Sequence, residues 1–187
     1  MDAASRFVAL CWVAVLVVWV IFALSVKRTQ EQQPILGRVF YLSLTVVVAL
    51  LLSGRIRTVH MTRTILPHTL SIALVADAIV LAGLVIAVWA RIALGSNWSA
   101  RVTLKENHEL IQRGPYRLVR HPIYSGLLLM ILGTALLAGQ LGGFVALAFC
   151  FYGFWIKLRQ EEALLTKRLP GYSEYKTHTK ALIPFFM

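Results

Sequence analysis

Five apolar runs, at 7–26, 35–53, 70–94, 123–141 and 142–158, take up most of this chain and leave nearly all of its charge in the segments between them. About 20 mostly apolar residues are what an α-helix needs to cross the hydrocarbon core of a bilayer. Inside that core every backbone N–H and C=O must be satisfied within the protein, which restricts such runs to helices. The pattern therefore predicts an all-α protein, a polytopic membrane helical bundle of about five transmembrane helices. Composition agrees. Of 187 residues, 58% are hydrophobic and 14% are charged, whereas soluble domains carry roughly 45–50% apolar residues and about 25% charge. No internal repeat or low-complexity linker divides the chain, so 1–187 reads as a single integral membrane domain with N-terminal spans in 1–90. The first apolar run has no basic leader and no small-residue cleavage site, and it reads as a retained helix rather than a signal peptide.

A formal net charge of +11 raises the question of nucleic acid. Its placement argues against that partner, because the basic residues sit in short loops between spans, where they act as topology signals and partners for anionic lipid headgroups. With the N-terminus outside, all but Arg6, Arg55, Arg57 and Arg63 of the 19 Lys and Arg fall on the inner segments. The expected orientation is thus N-terminus outside and C-terminus cytoplasmic. The two cysteines, Cys11 and Cys150, lie inside separate apolar runs. They imply neither a disulfide framework nor a metal site.

The inner side then gathers a long loop, 95–120, and the tail, 161–187. At the end of that loop stands Arg113-Gly114-Pro115-Tyr116-Arg117-Leu118-Val119-Arg120-His121-Pro122-Ile123-Tyr124-Ser125-Gly126. Pro122 suits the first turn of a helix, where its missing N–H costs nothing. His121 then sits at the cap, beside free amides that favour anionic groups. Gly126 lets a ligand or a backbone approach closely. Arg117 and Arg120 can hold a carboxylate or phosphate. The last two apolar runs are separated only by Gly139-Gln140-Leu141-Gly142-Gly143 and read as a tight helical hairpin. His121 and Glu161 stand equally far before and after Leu141. Antiparallel helices with the same rise per residue bring them to the same depth. His121, Tyr124, Glu161 and Glu162 are therefore expected to line one pocket at the inner boundary, facing a polar ligand that carries an ammonium or sulfonium group. The plainer alternative is a solvated helix end beside a basic interfacial loop.

The run Gly114-Pro115-Tyr116, then Arg120-His121-Pro122-x-Tyr124-x-Gly126, then Glu161-Glu162 resembles the isoprenylcysteine carboxyl methyltransferase family, with phospholipid N-methyltransferases as wider relatives. Leu94-Gly95-x-Asn97-Trp98-Ser99 and His108-x-Leu110-Ile111 before it, and Gly171-Tyr172-x-Glu174-Tyr175 and Ile183-Pro184 after it, are similar too. The resemblance covers about half of the chain, residues 91–187, which it makes the catalytic and cofactor-binding half. It implies a membrane enzyme dependent on S-adenosyl-L-methionine, with the cofactor in an inner-face pocket. In that reading His108, Glu109, Leu110 and Ile111 border the adenosine. Tyr116, His121 and Tyr124 contact the ribose and methionine parts, with Arg120, Pro122 and Gly126 completing the motif. Glu161 or Glu162 holds the methionine ammonium, and Lys157 or Arg159 orients an acceptor carboxylate. Asn97 is a further candidate at the nucleophile. The implied acceptor is a lipophilic small molecule or lipid-modified substrate entering from the bilayer. No Gly-x-Gly-x-x-Gly follows a strand, so a soluble nucleotide-binding fold is not expected.

Two other readings share parts of this pattern. Sterol-reductase-like enzymes carry a similar Gly-Pro-Tyr and Arg-His-Pro-x-Tyr run and bind a nicotinamide cofactor, but are usually longer. A small transporter or scaffold would use the basic loop for lipid and leave the paired glutamates unexplained. Asp77, within the third run, is expected to have a structural partner such as Arg55, Arg57 or helix backbone. Trp12, Trp19 and Trp89 are expected to pack or face lipid, and Tyr172, Tyr175, Phe185 and Phe186 to anchor the tail at the interface.

Overall fold

The computed structural model of the protein describes residues 3–23, 29–31, 35–52, 60–95, 104–105 and 110–184. Among the described residues six α-helices form, in chain order: α1 (Ala3–Ala23), α2 (Ile35–Leu52), α3 (Leu70–Leu94), α4 (Pro122–Ala138), α5 (Leu141–Arg168) and α6 (Tyr172–His178). The fold is all-helical, a polytopic membrane bundle. Ala3–Phe22, Leu70–Leu94 and Leu141–Arg168 are long and apolar enough to cross a membrane, and the apolar stretches Ser43–Leu52 and Pro122–Ala138 are shorter. Two short extended segments, β1 (Thr29–Glu31) and β2 (Leu104–Lys105), pair antiparallel between the helices.

Local chemistry sets the helix ends. The Thr69 hydroxyl accepts from the Ile72 amide at 3.3 Å and starts α3, satisfying one of the orphan donors of its first turn. Pro122 opens α4 at its first helical position, as its sequence context predicts. Gly139 closes α4 in the left-handed conformation, φ 62°, a geometry that glycine adopts without steric cost. The Gly139 carbonyl accepts from the amides of Ile65 and Leu66, and the amides of Leu141 and Gly142 donate to Arg63 and Met61. The loop before α3 thereby locks the α4–α5 hairpin turn.

Packing centres on α3 and α4, the most extensive pair in the bundle; α1 lies against α3, α2 against α5, and α5 against α4. The α3–α4 contact is backbone on backbone. A methyl group at Gly126 would stand 2.6 Å from the Gly83 carbonyl oxygen and 2.7 Å from the Ala87 nitrogen. Small residues at a membrane helix interface permit this approach, where dispersion rather than water exclusion holds helices together. The backbone that comes close to Gly126 is thus that of α3. The Trp12 indole donates to the Thr134 hydroxyl at 3.1 Å and joins α1 to α4, so Trp12 packs inside the bundle, whereas Trp89 is exposed.

Candidate functional site

The site forms where the start of α4, the C-terminal third of α5 and the tail meet. Before α4, Gly114–Arg117 makes one 3-10 turn that buries Pro115 and Tyr116. The chain then runs extended, and Val119 pairs with Lys180 in a parallel bridge. The Arg120 amide donates to the Lys180 carbonyl at 2.8 Å and the His121 amide to that of Ala181 at 3.0 Å. These bonds tie the two residues before α4 to the tail. Ser125 Oγ adds a bond to the Leu182 carbonyl at 2.5 Å.

α5 continues to Arg168, ten residues beyond the apolar run, so Glu161 and Glu162 lie within a helix rather than at its end. Their neighbourhood in sequence conceals different surroundings. Glu162, with 4% of its side chain exposed, takes Arg120 Nε on Oε1 at 2.7 Å and Lys176 Nζ on Oε2 at 2.9 Å. His121 Nε2 lies 3.4 Å from the same Oε1. Arg120 also donates through Nη1 to the carbonyls of Thr179 and Lys176. Glu161, with 19% of its side chain exposed, accepts the Tyr124 hydroxyl at 2.8 Å and has His121 Nδ1 at 3.7 Å. The structure thus brings His121, Tyr124, Glu161 and Glu162 together, as equal spacing about the hairpin turn predicts.

Aromatic rings wall this cluster. The Tyr124 ring stacks on Phe154 at 4.7 Å between centroids and lies parallel to His121 at 5.5 Å. Lys157 Nζ stands 5.4 Å from the centre of the Tyr124 ring. Arg159 is exposed and lies over Trp155. Of the two candidate basic residues, only Lys157 is in contact with the ring that carries the Glu161 hydrogen bond. Phe154 was not anticipated, although the spacing of 154, 157 and 161 puts all three on one helix face and was open to reading.

The tail is part of the protein interior here. Tyr172 and Tyr175 are buried, and Tyr175 Oη donates to the Tyr116 carbonyl at 2.6 Å. They do not serve as exposed interfacial anchors, because the Tyr175 hydroxyl is used on the segment before α4 and the Tyr172 ring packs edge-on against that of Tyr175. Phe185 and Phe186 lie outside the described residues. Burial pushes the phenols of Tyr116 and Tyr172 well above the ordinary tyrosine range and that of Tyr175 up to about 12. All three are neutral donors at physiological pH.

Leu110 and Ile111 are partly buried beside this region, Ile111 against the cluster that contains Tyr116, Tyr124 and Leu158. An open groove of about 460 Å³ runs alongside, lined by Gln112, Arg117, Gly171, Glu174, Tyr175, His178 and Thr179. Asn97, His108 and Glu109 lie outside the described residues. Pro122 is buried as the first residue of α4, and Gly126 is spent on the contact with α3. Among the described residues no group of three or more His, Cys, Asp or Glu side chains is placed to hold a metal ion. Lys176 and Thr179 were missed from the sequence, since nothing local marks a tail lysine as the partner of a glutamate on α5.

An integral membrane bundle whose last two apolar helices and tail enclose a paired-carboxylate, aromatic-walled site defines the class of this protein. The Isoprenylcysteine carboxyl methyltransferase (ICMT) family profile matches residues 73–167, just over half of the chain, and the chain belongs to that family. It is similar to the cobalt-zinc-cadmium resistance protein CzcN of Cupriavidus metallidurans, at 33% identity over 93 residues, 49% of this chain and 43% of that protein. It is also similar to a probable protein-S-isoprenylcysteine O-methyltransferase of Oryza sativa subsp. japonica, at 32% over 87 residues, 46% of each. Protein-S-isoprenylcysteine O-methyltransferase B of Arabidopsis thaliana is 29% identical over 87 residues, 46% of this chain and 44% of that protein. The chain spans less than half the length of these relatives.

Proposed function

We propose that this protein is a membrane methyltransferase that uses S-adenosyl-L-methionine to methylate a lipophilic acceptor, with the site on the cytoplasmic side. The observation that carries the reading is Glu161. It is a partly open carboxylate whose close contacts are a neutral hydroxyl and an imidazole, beside the stacked rings of Tyr124 and Phe154. That donor set fits a ligand with an ammonium group and a second cationic centre. The carboxylate meets the ammonium, and ring faces attract a sulfonium.

Bound S-adenosyl-L-methionine would supply a methyl group on a positively charged sulfur, with a neutral thioether as the leaving group. The contribution of the chain is binding, alignment and exclusion of water. Glu161 holds the ammonium, and Tyr124 fixes the Glu161 carboxylate by its hydrogen bond. His121 stacks over Tyr124 and is itself held by the tail through its amide. By the family resemblance Leu110 and Ile111, with His108 and Glu109, would border the adenosine. A carboxylate acceptor is ionised at neutral pH and needs no base, and Lys157 is the cation placed to orient it. An amine acceptor would need deprotonation first. The acceptor reaches the site from the bilayer, as a lipophilic or lipid-modified molecule.

Calorimetry with S-adenosylhomocysteine on the detergent-purified protein tests the reading. Wild type is expected to bind, and Glu161→Gln to bind at least about tenfold more weakly, since a hydrogen bond to a charged group is worth about 1.5–3 kcal/mol. Failure of folded wild type to bind, with NADPH bound in its place, would overturn the methyltransferase reading in favour of a reductase.

A further inference from the structure

We propose that Lys176 is a positioning residue of this site: with Arg120 it neutralises Glu162, seats the 176–182 segment on the start of α4, and leaves Glu161 as the carboxylate presented to the ligand. The last clause rests on the cofactor reading above, and the rest does not.

The argument starts from burial. Glu162 is a carboxylate with 4% of its side chain exposed, and a charge so placed is tolerated only when each oxygen is paired. Arg120 occupies Oε1 and Lys176 occupies Oε2. Both cations are themselves tied to the tail. Arg120 Nη1 donates to the carbonyls of Thr179 and Lys176, and Lys176 belongs to α6. The four consecutive carbonyls from Thr179 to Leu182 all accept from one strip of chain, through Arg120 Nη1, the Arg120 amide, the His121 amide and Ser125 Oγ. Glu162 is the anionic hub of that seam.

Lys176 is 44% exposed, and an exposed lysine pair alone is worth little. The asymmetry lies in the partner. Removing Lys176 leaves a buried oxygen of Glu162 without its cation, and the seam can relieve this only by opening toward water. With both oxygens of Glu162 paired, Glu161 is the carboxylate of the two left to meet a ligand ammonium.

The test uses the full chain in detergent, as Lys176→Met and Lys176→Arg, with two readouts. The first is hydrogen exchange at the amides of Arg120 and His121, the donors to the tail. The second is S-adenosylhomocysteine affinity. In Lys176→Met, exchange at both amides is expected to rise, and affinity to fall, each about tenfold, the factor that 1.4 kcal/mol represents. Exchange within α3 should not change, and Lys176→Arg should restore both readouts. Wild-type exchange in Lys176→Met, or no recovery in Lys176→Arg, would overturn the proposal. If wild type binds no S-adenosylhomocysteine, the cofactor reading falls, and the exchange arm alone decides the role of Lys176.

Discussion

Glu161 and Glu162 share a chain position to within one residue, yet the first meets a phenol and the second meets two cations. Their roles follow from what each oxygen touches. Arg91 shows the same logic on α3. It is fully buried, donates to the Gly95 carbonyl at 2.7 Å and the Phe22 carbonyl at 3.0 Å, and lies over the Phe22 ring. A cation between the C-terminal ends of two helices answers their negative dipole ends, and so Arg91 is more than a topology signal. Asp77 is half-buried on α3; its expected partners Arg55 and Arg57 lie outside the described residues. Tyr175 carries a prediction at this scale. Its phenol is pushed up to about 12 by burial, above the ordinary value near 10. Because the folded state holds the proton more tightly, its contribution to stability is complete below about pH 10 and is lost as pH rises through about 12. A phenolate absorbance titration should show a step near pH 12 that is absent in Tyr175→Phe.

Among the elements, α3 bounds were legible to the residue, because a long apolar run with only Asp77 and Arg91 charged, set between polar flanks, has only one way to sit in a bilayer. The end of α5 was not. Its apolar run stops at Leu158, and the helix continues past it with Glu161 held by Tyr124 of α4 and Glu162 buried against Arg120 and Lys176. The α3–α4 seam also escaped, since glycines in a sequence do not say which backbone they admit. Gly126→Ala would drive a methyl group into the backbone of α3, from which it cannot rotate away. Destabilisation of about 1–3 kcal/mol is expected from overpacking of this kind, read as a lowered unfolding midpoint in detergent. A variant as stable as wild type would mean that α3 and α4 can separate without cost.

For the whole molecule, the proposed cytoplasmic placement of the site rests on the charge distribution alone, and labelling can check it. A membrane-impermeant maleimide should reach Cys in His178→Cys only from the cytoplasmic face and Cys in His68→Cys only from the outer face. Both native residues are exposed, at opposite ends of the bundle, whereas Cys11 is buried and Cys150 half-buried. The reverse pattern would invert the topology. The hairpin was legible because it is a matter of counting. Equal helical rise on both sides of Leu141 carries His121 to Glu161, and the two lie 3.7 Å apart.

From the sequence by itself came the all-helical membrane fold, the hairpin and the four residues at the end away from its turn. Bilayer energetics leaves few structures for apolar runs, and helix geometry makes depth a linear function of residue number. The tertiary structure decided what depends on contacts distant in the chain. It gave Gly126 to α3, turned the tail tyrosines inward, and separated the two glutamates by setting Arg120 and Lys176 on one and Tyr124 on the other. Those pairings join segments far apart in sequence, and only the packed molecule brings their atoms within bonding distance.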